Sequence, residues 1–215
     1  MAPLAAAMRA AGRRAGPLFT GVRVGVTCAK MLALATGWLD TPPTATSLAS
    51  SPSSAAPPTA LVAVHTLEVL AQNADQEAAH VAVVGDARRG QVYAAFFQRV
   101  NADLVRRSED LILSPDALRT RLAPGTLVVG DGVVRCSEIL REAAAAVAGI
   151  RLGEPDTAVA RARHVARLGW RDFRAGRTVS PHDLTPIYLR RPEAIDRLLE
   201  RQRRKMGSDP STQGV

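Results

Sequence analysis

Residues that could perform chemistry are few in this sequence of 215 residues and lie far apart along it. The histidines form neither a His-Glu-x-x-His pair nor another spacing typical of a metal site; they are His65, His80, His164 and His182. Because His164 lies in an arginine-rich segment, we expect it on the surface. Cys28 and Cys136 are the only cysteines and form no Cys-x-x-Cys pair. This usage argues against a zinc site or a disulfide framework and is typical of a reducing compartment such as the cytoplasm.

Motifs for nucleophilic catalysis and for phosphate binding are also absent from the sequence. It contains no Gly-x-Ser-x-Gly elbow, no P-loop and no Gly-x-Gly-x-x-Gly. Asp86 and Arg88 of "GDAR" could belong to a site, but the pattern is more typical of a hairpin turn. In such a turn Asp86 binds backbone amides and Gly90 takes a positive φ. "GDG", residues 130–132, also predicts a turn, so spacing alone predicts no catalytic or metal-binding residues.

The net charge of +8 rests almost entirely on arginine, since Lys30 and Lys205 are the only lysines among 28 basic residues. Arginine binds phosphate in a fork geometry, which is compatible with RNA contact. The same bias, with abundant alanine, is also expected from a GC-rich genome. The C-terminal segment "RQRRK" holds the candidate RNA contacts Arg201, Arg203, Arg204 and Lys205. The alternative is a solvated tail, because chain termini are usually poorly ordered.

The apolar patterns predict alternating helices and strands and therefore an α/β or α+β protein. Short strands are expected at 61–64, 81–84, 91–100 and within 126–132. Helices are expected from Thr66, from Ser114 as an N-cap, and around 134–148 and 157–174. Both faces of the strand at 91–100 are apolar, so this strand should be covered on both sides.

Composition divides the chain into five segments. Residues 1–15 contain arginine but no acid and predict a disordered leader, similar to a transit peptide or to the product of a misplaced start codon. Residues 16–40 hold a helix, and 41–59, with five prolines, predict a disordered linker. Residues 60–190 form the predicted core. Residues 191–215 predict a basic helix and tail.

One predicted helix, from a cap at Thr20 to about Thr36, has an unusual composition. Gly21, Gly25, Ala29 and Ala33 recur every fourth residue and would form a smooth groove. Glycine costs a helix about 0.5–1 kcal/mol relative to alanine, so a packing reason is expected. The helix is then either buried in the core or packed against a partner subunit. A membrane helix is not expected, because no apolar run reaches about 18 residues.

Four motifs resemble the TsaB (YeaZ) family and keep its order along the chain. "GPLFTGVRVG", residues 16–25, is similar to the family's Gly-Pro-Gly-Ser-Phe-Thr-Gly-Val-Arg signature, shortened by one residue at Leu18. "VAVHTLEVLA" is similar to a strand followed by Ser-Thr-Leu-Glu, with His65 in place of serine. "DARRGQVYAAFF" and "PIYLR" match the family's hairpin and its C-terminal Pro-x-Tyr-Leu-Arg.

The resemblance implies an actin-like ATPase (RNase H-like, ASKHA) superfamily fold whose first strands are missing. It implies a non-catalytic scaffold that pairs with the catalytic sibling TsaD, and with the ATPase TsaE, in modifying tRNA to threonylcarbamoyladenosine. ATP and metal would bind those partners, so this chain is expected to bind no cofactor. The signature helix would form the heterodimer interface through Phe19, Thr20, Gly21, Val22, Arg23, Gly25, Val26 and Ala29.

Two other functions remain open at this stage. A glycoprotease-type hydrolase would need a metal constellation, which the spacing of the histidines does not predict. A basic RNA-binding module would need aromatic platforms between arginines, and aromatic residues make up only 4% of the sequence.

Overall fold

The computed structural model describes residues 5–9, 17–36, 60–189 and 201, with the backbone alone for 5–9 and 17–21. The strands are β1 (Ala5–Arg9), β2 (Leu61–His65), β3 (His80–Arg88), β4 (Gln91–Val100), β5 (Asp103–Arg106), β6 (Leu111–Leu113), β7 (Leu127–Val129) and β8 (Arg151–Leu152). The helices are α1 (Pro17–Ala35), α2 (Thr66–Ala71), α3 (Pro115–Arg119), α4 (Gly132–Arg135), α5 (Ser137–Ala146) and α6 (Ala162–Arg174), with a 3-10 turn at Pro155–Ala158. This is a mixed α/β fold.

The smaller sheet consists of β1 and β2, which are parallel, with Ala5 opposite Leu61. Parallel neighbours need a crossover, and α1 lies between the two strands in sequence. Side chains alternate along β2, so each of its faces packs against a different helix. The first face contributes Leu61 to a cluster with α1, and the second contributes Val62 and Val64 to a cluster with α6.

The larger sheet has the order β5–β4–β3–β7–β8, and β6 also pairs with β4. β3 is antiparallel to β4 and parallel to β7, so the sheet is mixed. Leu67 and Leu70 of α2 pack on one face against Val83 and Phe97. Helices α3 and α5 cover the other face through Leu118 and Leu140. The prediction that β4 is covered on both sides is therefore confirmed.

The β3–β4 hairpin has the turn geometry that "GDAR" predicts. Arg89 and Gly90 connect the strands with φ of 55° and 68°, and two positive φ values match the twist of antiparallel strands. The Asp86 Oδ1 accepts a hydrogen bond from the Arg88 backbone N–H at 2.7 Å. A register irregularity lies between Asp86 and Arg88. In the second predicted turn Gly130 has φ of 105°, and a Cβ there would lie 2.5 Å from the Val84 oxygen.

Several boundaries differ from the sequence predictions. Residues 5–9, which were predicted to lie in a disordered leader, form β1, because their backbone pairs in parallel with that of β2. Helix α1 begins at Pro17, so Thr20 lies inside the helix and is not its cap. The helix predicted at 134–148 is divided at Cys136, and the helix predicted from 157 begins at Ala162. Strands β5, β6 and β8 were not predicted, since each spans only two to four residues. The linker at 41–59 lies outside the described residues.

Candidate partner-binding face

One side of α1 belongs to the core of the chain. Val26 and Ala33 are 5% and 0% exposed and pack with Leu61 and Leu184. Val22 and Ala29 pack against the same cluster and are half-buried. These four residues recur at intervals of three and four, the spacing that places side chains on one side of a helix.

The opposite side of α1 is apolar yet faces solvent. The exposed fractions of Val24, Met31, Leu32 and Leu34 are 54%, 61%, 52% and 47%. Cys28 is also exposed and lies between Val24 and Met31 at helical spacing. We call the five residues Val24, Cys28, Met31, Leu32 and Leu34 the outer face of α1. A continuous exposed apolar surface of this kind is typical of a protein–protein contact.

The structure divides the predicted small-residue row. Ala33 and Ala29 face the core, whereas Gly25 is exposed, and a Cβ there would meet no atom within 4 Å. The C-terminal half of the predicted groove, Ala29 and Ala33, therefore faces the core of this chain and is not available to a partner. A helix has 3.6 residues per turn, so a row with a spacing of four drifts around the axis.

The predicted interface residues also separate. Val26 was predicted to contact a partner, but its side chain is buried in the core of the chain and is not available for that contact. Val22 and Ala29 direct most of their surface to the same core, whereas Arg23 and Gly25 are exposed. The side chains of residues 19–21 lie outside the description, so Phe19, Thr20 and Gly21 stay predictions.

The outer face of α1 was not among the predicted interface residues, although the sequence carries a signal for it. Val24, Cys28, Met31 and Ala35 follow the spacing i, i+4, i+7 and i+11, which forms a stripe on a helix. A second apolar stripe, through Val26 and Ala33, lies on the other side. Only the packing shows which stripe is covered by this chain.

A polar cluster that the sequence did not predict joins β2 to the loop after β5. The Asp110 carboxylate accepts a hydrogen bond from Arg106 Nη1 at 2.7 Å, and its second oxygen lies 3.3 Å from His65 Nδ1. The Asp110 side chain is only 6% exposed. Burial would raise the pKa of Asp110, but the hydrogen bonds with His65 and Arg106 outweigh it and hold that pKa below its ordinary value. The carboxylate is therefore charged and ties together residues 45 positions apart.

His164 was predicted to lie on the surface, but the structure places it partly inside. It is half-buried, and its Nε2 is buried without a hydrogen-bond partner among the described residues. Burial, followed by the charges of Arg163, Arg167 and Arg161, lowers the pKa of His164. The imidazole is therefore neutral over a wider pH range than a free histidine.

Three further observations concern the described part of the chain. In residues 5–9, 17–36 and 60–189, no three His, Cys, Asp or Glu side chains are grouped closely enough to hold a metal ion. No helix in these ranges has the length and apolar character that crossing a membrane requires.

In the predicted basic tail, Arg201 is helical and exposed, whereas Arg203, Arg204 and Lys205 lie outside the described residues.

Known proteins resemble the chain in both sequence and fold. A scan against protein-family models gave no match. The tRNA threonylcarbamoyladenosine biosynthesis protein TsaB of Escherichia coli K12 is 28% identical over 186 residues, which are 84% of this chain and 69% of that protein.

Two solved structures share the fold. One, an uncharacterized Pseudomonas aeruginosa protein with similarity to peptidase YeaZ, has a TM-score of 0.59 at 22% identity. YeaZ from Pseudomonas aeruginosa has a TM-score of 0.56 at 21% identity. Each comparison covers 86% of this chain and 74% of the solved one. Together with the four motifs in their order, these similarities show that the chain resembles the TsaB (YeaZ) family in sequence and in fold.

Proposed function

We propose that this chain is a non-catalytic scaffold subunit in the cytoplasmic biosynthesis of threonylcarbamoyladenosine in tRNA. In this proposal it pairs with a TsaD-like catalytic subunit, and a TsaE-like ATPase joins them. ATP and metal bind to those partners, and tRNA is bound by the assembled complex. The name of the Escherichia coli relative supports the pathway, and the motifs support the role within it.

The observation that carries the proposal is the outer face of α1. Four large aliphatic side chains there are about half exposed or more, and the chain covers the opposite side of the same helix with its own core. Burying apolar surface contributes about 25 cal/mol per Å², so leaving these side chains in water forgoes stabilisation that a partner would supply. Gly25 beside them would let a second helix approach closely.

The finer fold assignment is part of the same proposal. An actin-like protein has two halves, each with a sheet between helices. Here the smaller sheet lies between α1 and α6, and the larger sheet lies between α2 on one face and α3 and α5 on the other. This arrangement is consistent with the superfamily that the motifs imply.

Co-purification with the cognate TsaD-like subunit tests the proposal. We expect Val24→Glu and Met31→Glu to weaken the complex by at least about 2 kcal/mol, because an unpaired carboxylate would be buried at the contact. Val134→Glu is the matched control, since Val134 is 57% exposed and lies on α4. The free variants should unfold at the wild-type temperature.

The result that contradicts the scaffold proposal is equally clear. If the Val24→Glu and Met31→Glu variants both bound the TsaD-like subunit with wild-type affinity, the outer face of α1 would not be the interface. For catalysis, the isolated chain should neither cleave a protein substrate nor modify tRNA, and modification should appear when the partner subunits are added. Peptidase activity in the isolated chain would favour the hydrolase alternative.

A further inference from the structure

A small basic cavity lies at one end of the larger sheet, on the face that α3 and α5 cover. Its volume is about 200 Å³, and its lining includes His80, Phe96, Gln98, Arg107, Arg121 and Thr126. His80 and Gln98 are opposite each other in the β3–β4 pairing. Phe96 lies two residues before Gln98, so its side chain is on the same face.

The cavity exists because the helical layer ends before the sheet does. Helix α3 ends at Arg119, and Leu122 in the following turn is buried in the cluster with Val84 and Leu140. The chain then turns through Ala123 towards β7, and Thr126 Oγ1 is held by a hydrogen bond to the Ala123 oxygen at 2.7 Å. The ends of β3 and β4 therefore have a wall of loop residues in place of a helix.

The charge of the cavity has one sign. Its lining contains two arginines and a histidine but no carboxylate. The Arg107 guanidinium donates to Gln98 Oε1 at 3.0 Å, which orients it on the rim. Neither Arg107 nor Arg121 forms an ion pair with a carboxylate in the described part of the chain. By contrast, Arg119, two residues before Arg121, is paired with Asp116 at 3.0 Å.

These features match the chemistry of a phosphate group. Arginine forks and amide or imidazole donors bind phosphate oxygens, and charged hydrogen bonds of this kind are stronger than neutral ones. The volume is below the roughly 300 Å³ at which pockets begin to enclose drug-sized ligands. It would therefore hold a phosphate group, with the rest of the ligand outside along Phe96.

We propose that the cavity between His80, Gln98, Arg107 and Arg121 is a binding site for the phosphate group of a nucleotide or of an RNA strand. The site lies on the larger sheet, whereas the outer face of α1 belongs to the helix on the smaller sheet. The proposal does not depend on the scaffold function, and a chain that binds no partner subunit could still bind phosphate here.

Calorimetric titration of the full chain tests the proposal, with inorganic phosphate, adenosine 5′-monophosphate and a five-nucleotide single-stranded RNA as three separate probes. We expect Arg107→Ala and Arg121→Ala each to weaken binding about tenfold, which corresponds to one charged hydrogen bond. Both side chains are exposed, so the variants should fold normally. Arg174→Ala is the control for loss of charge, because Arg174 is an exposed arginine at the end of α6.

The probes distinguish the source of the phosphate. Tighter binding of the mononucleotide than of the RNA, with loss in the two variants, supports a nucleotide site. Tighter binding of the RNA, with a salt slope reduced by about 0.7 in each variant, supports a strand site. Absence of binding by all three probes would overturn the proposal. The proposal would also be overturned if the Arg107→Ala, Arg121→Ala and Arg174→Ala variants bound the probes with equal affinity, since binding would then reflect net charge alone.

Discussion

Val24 and Met31 lie two helical turns apart on the solvent-facing side of α1, and each exposes more than half of its side chain. They are seven positions apart in the sequence, which places both side chains nearly in line along the helix. The core contacts of α1 lie on the opposite side, through Val26 and Ala33. Substitutions on the two sides of one helix can therefore separate partner binding from folding.

The exposed glycine beside this face gives the first prediction. Gly25→Leu should leave the free chain folded, because a Cβ at this position meets no atom within 4 Å. It should weaken the complex with a TsaD-like partner by about 1–3 kcal/mol, the usual cost of overpacking a close contact. Isothermal titration of the purified subunits measures the change.

Ala33→Leu is the matched control for that experiment. Ala33 lies eight residues after Gly25 and is fully buried against Leu61 and Leu184, so leucine there should destabilise the free chain by about 1–3 kcal/mol. Unfolding in urea measures this loss. If Gly25→Leu destabilises the free chain as much as Ala33→Leu does, the exposed position of Gly25 is wrong.

The two cysteines provide a second prediction, because only one can react. Cys28 is exposed on the outer face of α1, whereas Cys136 is buried. Burial, followed by the charges of Asp86 and Asp131, raises the pKa of Cys136 to about 11. A maleimide at pH 7 should therefore label one thiol per chain, and peptide mapping should identify Cys28.

Adding the TsaD-like partner should protect Cys28 from the maleimide. The expected result is at least a tenfold slower reaction at saturating partner, measured by intact mass against time. An unrelated protein at the same concentration serves as the control. Equal labelling rates with and without partner would place the contact elsewhere on the surface.

The Asp110 cluster gives a prediction about pH. Asp110→Asn should lower the free energy of unfolding at pH 7 by about 1–2 kcal/mol, because Arg106 loses a charged hydrogen bond. The folded pKa of Asp110 lies below its ordinary value near 4. The stabilisation that the Asp110 carboxylate contributes is therefore present above about pH 4 and is lost as the pH falls through the pKa of the folded state.

Urea unfolding at pH 7, 5 and 3 measures the difference between wild type and variant. We expect a constant difference at pH 7 and 5 and a smaller one at pH 3. Asp103→Asn is the control, since Asp103 is exposed and has no ion pair with another described residue. A difference that grows on acidification would contradict the depressed pKa.

The basic C-terminal segment stays a prediction, because most of it lies outside the described residues. Residues 151–215 carry 14 basic and 8 acidic residues, a net charge of +6 out of +8. If the cluster of Arg201, Arg203, Arg204 and Lys205 contacts tRNA, deleting 201–215 should weaken binding by the assembled complex. It should also reduce the salt slope by about 0.9 per duplex phosphate contact. An unchanged affinity and slope would mean that the tail is only solvated.

The sequence by itself determined the resemblance to the TsaB (YeaZ) family and much of the local structure of this protein. Motifs such as "DARRGQVYAAFF" combine turn residues with apolar alternation, and local backbone preference is enough to specify a hairpin there. The Ser114 cap of α3 is a similar case, since its hydroxyl accepts from the Ala117 N–H, three residues away. Such features depend on neighbours in sequence, which a single chain displays directly.

Only the tertiary structure decided which side of α1 is covered. Both sides of this helix are apolar, so periodicity could not distinguish Val24 and Met31 from Val26 and Ala33; the choice depends on Leu61 and Leu184, which are distant in sequence. The contact of His65 with Asp110 and the cavity beside Arg121 have the same origin. In each case the partners come from separate elements, and no local spacing encodes a contact that exists only after those elements pack together.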